Sequence, residues 1–467
     1  MNKLIYFLTC VSLLAAQVVR AQQPATTGTN LTANRYRGFS LEADESVILT
    51  DGFSVSAEGF AARISPGQIG EWGPVFTWGN MNSNVGIVGI HTTVLPNGKV
   101  LSWAGHNDNL HDHTGAALWN PLVAKSFEYI DNEKNIFCSS HTLLASGRLL
   151  VAGGYFSNGD VNDDFPKDVF GEYPDYPLIV SGTNNPSYAR GFIGLRDASL
   201  YDYMRPTVST APAYSQWDVI NPPMTDRRWY PTAVTLSNGE ALVIAGQIDG
   251  GKAATATTPA SGERQSVVPE VWTGSAWRRL TGATQGLPWY PWMFAAPNGK
   301  VFYAGNTPTN TTRYLDPSGT GSWSAPFTAE PQAASNRGAY SDQRYWGSAV
   351  LYERGQLLLL GGNGAAGTTS TTQLTDLTGP AGTPQFRPGS PMRYPRFHHN
   401  ATVLPTGQVL VSGGTTNATN DADEYGVLPA ELWTPPTGTT GGGTWQTVAA
   451  LTEPRLYHST AVLLPNG

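Results

Sequence analysis

HTTVLPNGKVLSWAG (91–105) is an apolar run, a turn closing on glycine, a second apolar run and another glycine. The same phrase returns as HTLLASGRLLVAGG (141–154), PTAVTLSNGEALVIAG (231–246), PWMFAAPNGKVFYAG (291–305), GSAVLYERGQLLLLGG (347–362) and HNATVLPTGQVLVSGG (399–414). A seventh copy, HSTAVLLPNG, begins at His458 and stops at its turn. The turn glycines are Gly98, Gly147, Gly239, Gly299, Gly355, Gly407 and Gly467, most of them 49 to 60 residues apart. The gap of 92 between Gly147 and Gly239 marks an insertion, placed within 155–195. Asn-Gly between apolar runs predicts a two-residue hairpin turn.

Between copies lie two weaker strands. One alternates, as in AALWNP, ASLYDY, PEVWTG and AELWTP; the next often carries a Trp, as in SQWDVI, SAWRRL, GSWSAP and GTWQTV. Four strands per period are the content of a kelch-type propeller blade. Continuous apolar runs such as LLLLGG suit strands buried on both faces between neighbouring blades. The expected fold is all-β: a seven-bladed kelch-type β-propeller whose last blade is incomplete, spanning 71–467. Composition agrees. Charged residues are 13%, while 52 glycines, 34 prolines, 14 Trp and 20 Tyr favour short strands and tight turns over long helices. An open last blade leaves an unpaired strand, so the 467-residue chain alone is expected to be unstable and to bind metal weakly.

MNKLIYFLTCVSLLAAQVVRAQQ has a basic start, an apolar stretch and a small-residue exit at Val19 and Ala21. It reads as a secretory signal peptide over 1–21, and the protein is expected to be secreted or periplasmic. Residues 22–70 form a strand-rich lead-in, and no later run has the length of a membrane span. With a net charge of −7 and no basic block, nucleic acid is excluded as a partner, and a monomer is expected. Cys10 leaves with the leader, so the mature chain keeps one cysteine, Cys138, unable to form an internal disulfide.

The residues leading into the seven hairpins read GIHTT, SSHTL, WYPTA, WYPWM, YWGSA, FHHNA and LYHST. In a closed ring they would surround one mouth of the central channel. FCSSHTLLASGRLLVAGG, RRWYPTAVTLSNGEALVIAG, PWYPWMFAAPNGKVFYAG and RLYHSTAVLLPNG resemble the copper-radical oxidases, glyoxal oxidase more than galactose oxidase. The resemblance covers most of 71–467, and Cys138, Trp229-Tyr230 and Tyr457-His458 are its most specific pieces.

That resemblance implies a copper ion and a protein-derived radical cofactor. Tyr230 matches the copper-ligand tyrosine that holds the radical, and Cys138 the cysteine joined to it by a thioether. Tyr457 matches the axial tyrosine and His458 one histidine ligand. The family's second histidine lies in a C-terminal β-sandwich, which is expected beyond residue 467. Imidazole and phenolate oxygen suit Cu(II). The implied reaction is oxidation of a small aldehyde or primary alcohol by dioxygen, giving hydrogen peroxide, with Tyr457 as general base. In galactose oxidase an aromatic ring stacks over the cross-link, eighteen positions after the radical tyrosine. Here that position is Ile248, so the ring must come from elsewhere or be absent.

Taken singly, Tyr230, Tyr457 and His458 fit ordinary packing, and Trp229 fits a packing ring as well as a pocket wall. A non-catalytic propeller binding a glycan or a protein at the cell surface is the alternative, since the fold hosts many functions. His106, His111 and His113 beside Asp108 and Asp112 match no ligand spacing and read as a solvated loop. Of His398 and His399, alternation along a strand lets at most one face the channel. Gly362-Asn363-Gly364-Ala365-Ala366-Gly367 matches a dinucleotide fingerprint but lacks the following helix, and is rejected. Asn30, Asn310, Asn400 and Asn417 sit in glycosylation sequons.

Overall fold

The computed structural model describes strands Ser46–Ile48 and Ser54–Ser56, residues 69–75, and most of 79–467. The exceptions are 81–84, 87–88, 105–113, 124–126, 131, 157–192, 206–215, 250–263, 306–310, 329–343, 345, 365–366, 380–381, 418–421 and 439. Residues 1–21, the loop holding His106, His111 and His113, and most of the insertion therefore lie outside the described residues. The chain divides into two compact units, 78–330 and 1–77 with 331–467.

Among the described residues, six antiparallel sheets of blade type carry the fold, each a meander in chain order. Unit 78–330 holds four. The first is His91–Val94, Val100–Trp103, Ala116–Trp119 and Phe127–Tyr129. The second is Ser140–Leu143, Leu149–Ala152, Ala198–Tyr201 and Trp217–Val219. The third is Thr232–Thr235, Ala241–Ile244, Glu270–Trp272 and Trp277–Arg279. The fourth is Met293–Ala295, Val301–Tyr303, Thr311–Asp316 and Ser322–Trp323, with Phe327–Thr328 added at one end. The other unit holds the fifth sheet, Ser348–Glu353, Gln356–Leu360, Thr372–Asp376 and Gln385–Pro388. It also holds the sixth, Asn400–Val403, Val409–Ser412, Pro429–Thr434 and Thr444–Ala450.

The apolar second strands explain the stacking. Successive side chains of a strand point to opposite faces. Leu149 and Val151 pack toward the first sheet, and Leu150 and Ala152 toward the third. In the third sheet, Ala241 and Val243 turn back while Leu242 and Ile244 meet Met293 and Val301 of the fourth. Leu358 and Leu360 meet Val409 and Val411 in the same way in the other unit. Full burial of each such aliphatic side chain contributes about 1.5–3 kcal/mol. The fourth-strand Trp residues tie neighbouring sheets together. Trp217 Nε1 donates to Ile130 O (2.8 Å), Trp323 Nε1 to Ala283 O (2.7 Å) and Trp445 Nε1 to Ser390 O (2.7 Å).

The hairpin turns differ from the two-residue form expected. Gly98 N–H donates to Leu95 O, and Leu95 N–H to Lys99 O, so the loop is Pro-Asn-Gly with glycine alone at positive φ. Asn97 Oδ1 accepts from Lys99 N–H, as Asn238 does from Glu240 and Asn298 from Lys300. That side-chain bond stabilises a right-handed Asn and leaves the left-handed place to glycine.

Seven blades become six four-stranded sheets among the described residues. The seventh copy supplies its turn, with Gly467 N–H on Leu464 O at 3.0 Å and a φ of 82°. Its lead-in runs beside Asn400–Val403, where Asn400 Nδ2 donates to Ser459 O (3.2 Å) and Ser459 Oγ (3.0 Å). Asn400 is thus engaged within the fold and is a poor glycan acceptor. The other face of the sixth sheet receives Trp72, whose Nε1 donates to Ala449 O at 2.8 Å. Within the lead-in, Ser46–Ile48 pairs with Ser54–Ser56. Asn363–Gly364 pairs with Gly367–Thr368 as a hairpin, so the glycine run there opens no helix.

Candidate active site

One backbone device recurs where the chain enters its hairpins. Cys138, Tyr230, Trp346, His398 and His458 each stand two residues before an inner strand or its equivalent, with φ of 54°, 60°, 55°, 59° and 67°. Tyr290 takes the corresponding place before the fourth sheet, with φ of 45°. Such left-handed backbone costs a non-glycine residue about 1–3 kcal/mol and persists where surroundings enforce it. Here neighbours enforce it pairwise. Tyr230 N–H donates to Cys138 O (3.0 Å) and Tyr290 N–H to Tyr230 O (2.9 Å). In the other unit His398 N–H donates to Trp346 O (2.9 Å).

Within unit 78–330, Cys138, Trp229 and Tyr230 form a buried cluster, exposed by 1%, 4% and 5%. The Trp289 ring stacks on the Tyr230 ring, with centroids 5.3 Å apart and planes 18° apart. Tyr290 meets Tyr230 edge-on at 4.6 Å, and Trp229 lies 4.1 Å from it. Burial pushes the Cys138 thiol up to about 12, against weaker hydrogen bonds from Tyr230, Tyr290 and Trp229 that lower it. Below that pH the sulfur keeps its proton, so a neutral thiol lies in the cluster with the Tyr230 ring.

Of the two alternatives left open by Ile248, a ring from elsewhere is the one found. Ile248 lies half-buried in strand Gln247–Asp249 and offers no ring; Trp289 provides it from the next sheet's lead-in. The signal was present in the repeat itself, since WYP occurs at 229–231 and again at 289–291.

In the other unit, Tyr457 and His458 lie together with ring centroids 3.8 Å apart. His398 sits 4.4 Å from Tyr457, and Trp346 lies edge-on to both His398 (5.5 Å) and Tyr457 (5.8 Å). His399 is buried with its ring against Gly361. Burial, with Arg396, His398 and Arg344 nearby, pushes its imidazole down to about 3. Both ring nitrogens of His399 are buried without a hydrogen-bond partner. The structure thus brings Cys138 to Tyr230 in one unit and Tyr457 to His458 in the other. Among the described residues no three His, Cys, Asp or Glu side chains are grouped so as to hold a metal ion.

No protein-family model and no curated protein matches the sequence. Among solved structures, the fold is similar to that of a novel fungal alcohol oxidase with catalytic diversity among the AA5 family, in complex with copper. The TM-score is 0.56 and the identity 22%, over 81% of this chain and 68% of that one. At that identity the likeness is one of fold: an all-β, propeller-type arrangement.

Proposed function

We propose that the protein is an exported copper-radical oxidase of the glyoxal-oxidase type, oxidising small aldehydes or primary alcohols with dioxygen and releasing hydrogen peroxide. One observation carries the reading: the chain's one mature cysteine is buried against a phenol that is itself covered by a stacked indole. Cys138 and Tyr230 both stand at strained backbone positions, which packing alone does not require. The solved structure of similar fold is of an alcohol oxidase in complex with copper, and that supports the same class.

Tyr230, Tyr457 and His458 would hold the copper, a phenol-and-imidazole set that suits Cu(II). The copper, when bound, would supply a one-electron acceptor. Tyr230, joined to Cys138 through sulfur and already oxidised by one electron, would take the second equivalent as a hydrogen atom from the substrate carbon and return to the phenol. Tyr457 would accept the proton of the substrate hydroxyl. Trp289 would shield the oxidised phenol from water, and Trp229 would close its other side. We also infer that residues 453–467 open a seventh blade, supported by the Gly467 turn and the contact of Ser459 with Asn400.

The test is peroxide formation by the copper-loaded protein over a panel of small aldehydes and primary alcohols. Tyr230→Phe and Cys138→Ser are expected to abolish it. Peroxide formation unchanged in Tyr230→Phe would overturn the radical role of Tyr230, and no peroxide from the copper-loaded wild-type protein over the whole panel would overturn the reading and favour a binding module.

A further inference from the structure

Two buried ion pairs occupy the same place in two sheets. Arg228 Nη2 donates to Glu270 Oε1 at 3.0 Å in the third, and Arg396 Nη2 to Glu431 Oε2 at 2.9 Å in the sixth; all four side chains are fully buried. Arg228 also donates to Ala245 O (2.8 Å) and Val268 O (2.7 Å), and Arg396 to Gly413 O (2.7 Å) and Pro429 O (2.5 Å). Glu270 collects the N–H groups of Thr225 (2.8 Å) and Asp226 (3.1 Å), and Glu431 that of Arg393 (2.7 Å). Burying such a pair is no better for stability than apolar packing of the same volume. Stability alone does not account for it.

Both arginines stand two residues ahead of a left-handed residue, Tyr230 in one case and His398 in the other. The peptide at Arg228 is held on both sides. Its N–H donates to Leu195 O (2.8 Å), and its carbonyl accepts from Gly154 N–H (3.0 Å). Trp229 exchanges two bonds with Gln247, at 2.9 and 2.6 Å. Gly194 lies so close that a Cβ there would come within 2.6 Å of the Arg228 backbone. That fixed peptide leads directly into Tyr230, whose φ is 60° and whose N–H donates to Cys138 O.

We propose that Arg228 and Glu270 are positioning residues for the Tyr230–Cys138 pair, and that the ion pair holds Tyr230 in the backbone state that presents its ring to the Cys138 sulfur. The inference rests on the reading of that pair as a thioether cofactor. Forming the thioether replaces the S–H bond and one ring C–H bond, beside the phenol oxygen, with a C–S bond. Two electrons and two protons leave for dioxygen, which becomes hydrogen peroxide. The sulfur must meet one ring carbon, so a small rotation of Tyr230 is felt in the rate.

The experiment monitors cross-linking after copper and air are added to copper-free protein, by intact mass and free-thiol count, with each variant's melting temperature measured first. The variants are Glu270→Gln, Arg228→Lys and the double variant R228M/E270M, which removes both charges should a single change prevent folding. Glu431→Gln perturbs the twin pair and serves as the control. Expected is slowing on the order of tenfold or more in the Arg228 and Glu270 variants, with Glu431→Gln melting lower yet cross-linking at the wild-type rate. A wild-type rate in Glu270→Gln, or equal slowing in Glu431→Gln, overturns the positioning role and leaves the cofactor reading standing. Absence of cross-linking in the wild type overturns both.

Discussion

Tyr230 is met by three aromatic rings, and they differ in what they do for it. Trp229 and Tyr290 reach it tilted and edge-on, whereas Trp289 covers its face. Trp289→Ala is expected to cost about 0.5–1.5 kcal/mol of ring contact beyond the area lost. It should also shorten the lifetime of the one-electron-oxidised protein several-fold, read as faster decay of its absorption; an unchanged lifetime contradicts the shielding role. The histidines set the acid limit. His399 and His141 are pushed down to about 3 and about 4, chiefly by burial, from an ordinary value near 6.5. Unfolding therefore takes up a proton at each below pH 6.5. The stability is complete above that pH and declines by up to about 1.4 kcal/mol per pH unit per histidine as the pH falls toward those values. Melting temperature against pH measures this, and His399→Leu is expected to flatten the acid side. At this scale the sequence was legible in part. Cys138, Tyr230, Tyr457 and His458 could be singled out because they stand at hairpin entries and carry the resemblance to the copper-radical oxidases. Trp289 was missed as the stacking ring because a fixed offset from Tyr230 pointed to Ile248, whereas the ring reaches Tyr230 from the next sheet.

Among the elements, the second strands carry the burial and the crossing contacts set their spacing. Gly153, at φ 78°, approaches the Arg228 carbonyl so closely that an added Cβ would collide with backbone. Gly153→Ala is expected to destabilise by about 1–3 kcal/mol from the strained φ, and more from the collision, by chemical denaturation. Trp445→Phe removes the indole bond to Ser390 O and is expected to cost about 1 kcal/mol for that bond, with little further change if the ring keeps its place. Glu431→Ala leaves Arg396 as a buried charge without its carboxylate, at about 3–5 kcal/mol; a loss below about 1 kcal/mol would show that water reaches the site. Sheet content was legible because the hairpin phrase recurs with a turn glycine each time. Turn type was not, because Asn-Gly fits both a two-residue turn and the longer loop. The Asn97, Asn238 and Asn298 side chains decide between them by accepting the N–H two residues on.

For the whole molecule, the repeat foretold an all-β chain of propeller blades, and the similarity to the fungal alcohol oxidase agrees in fold. The number of blades was less legible. A seventh hairpin phrase is present, and among the described residues the 453–467 segment lies along the sixth sheet, where Ser459 and Ala461 accept from Asn400 and Thr402 and Arg455 O accepts from Gly414 N–H. The leader, the insertion and the histidine-rich loop at 105–113 lie outside the described residues and stand on sequence alone. The Cys138–Tyr230 pair joins sequence, fold and chemistry. Its most direct test is the intact mass and free-thiol count of the protein before and after copper and air. Copper-loaded protein is expected to be lighter by two hydrogens, with no titratable thiol at Cys138 after unfolding. A copper-loaded chain of unchanged mass, with Cys138 still titratable, contradicts the assignment.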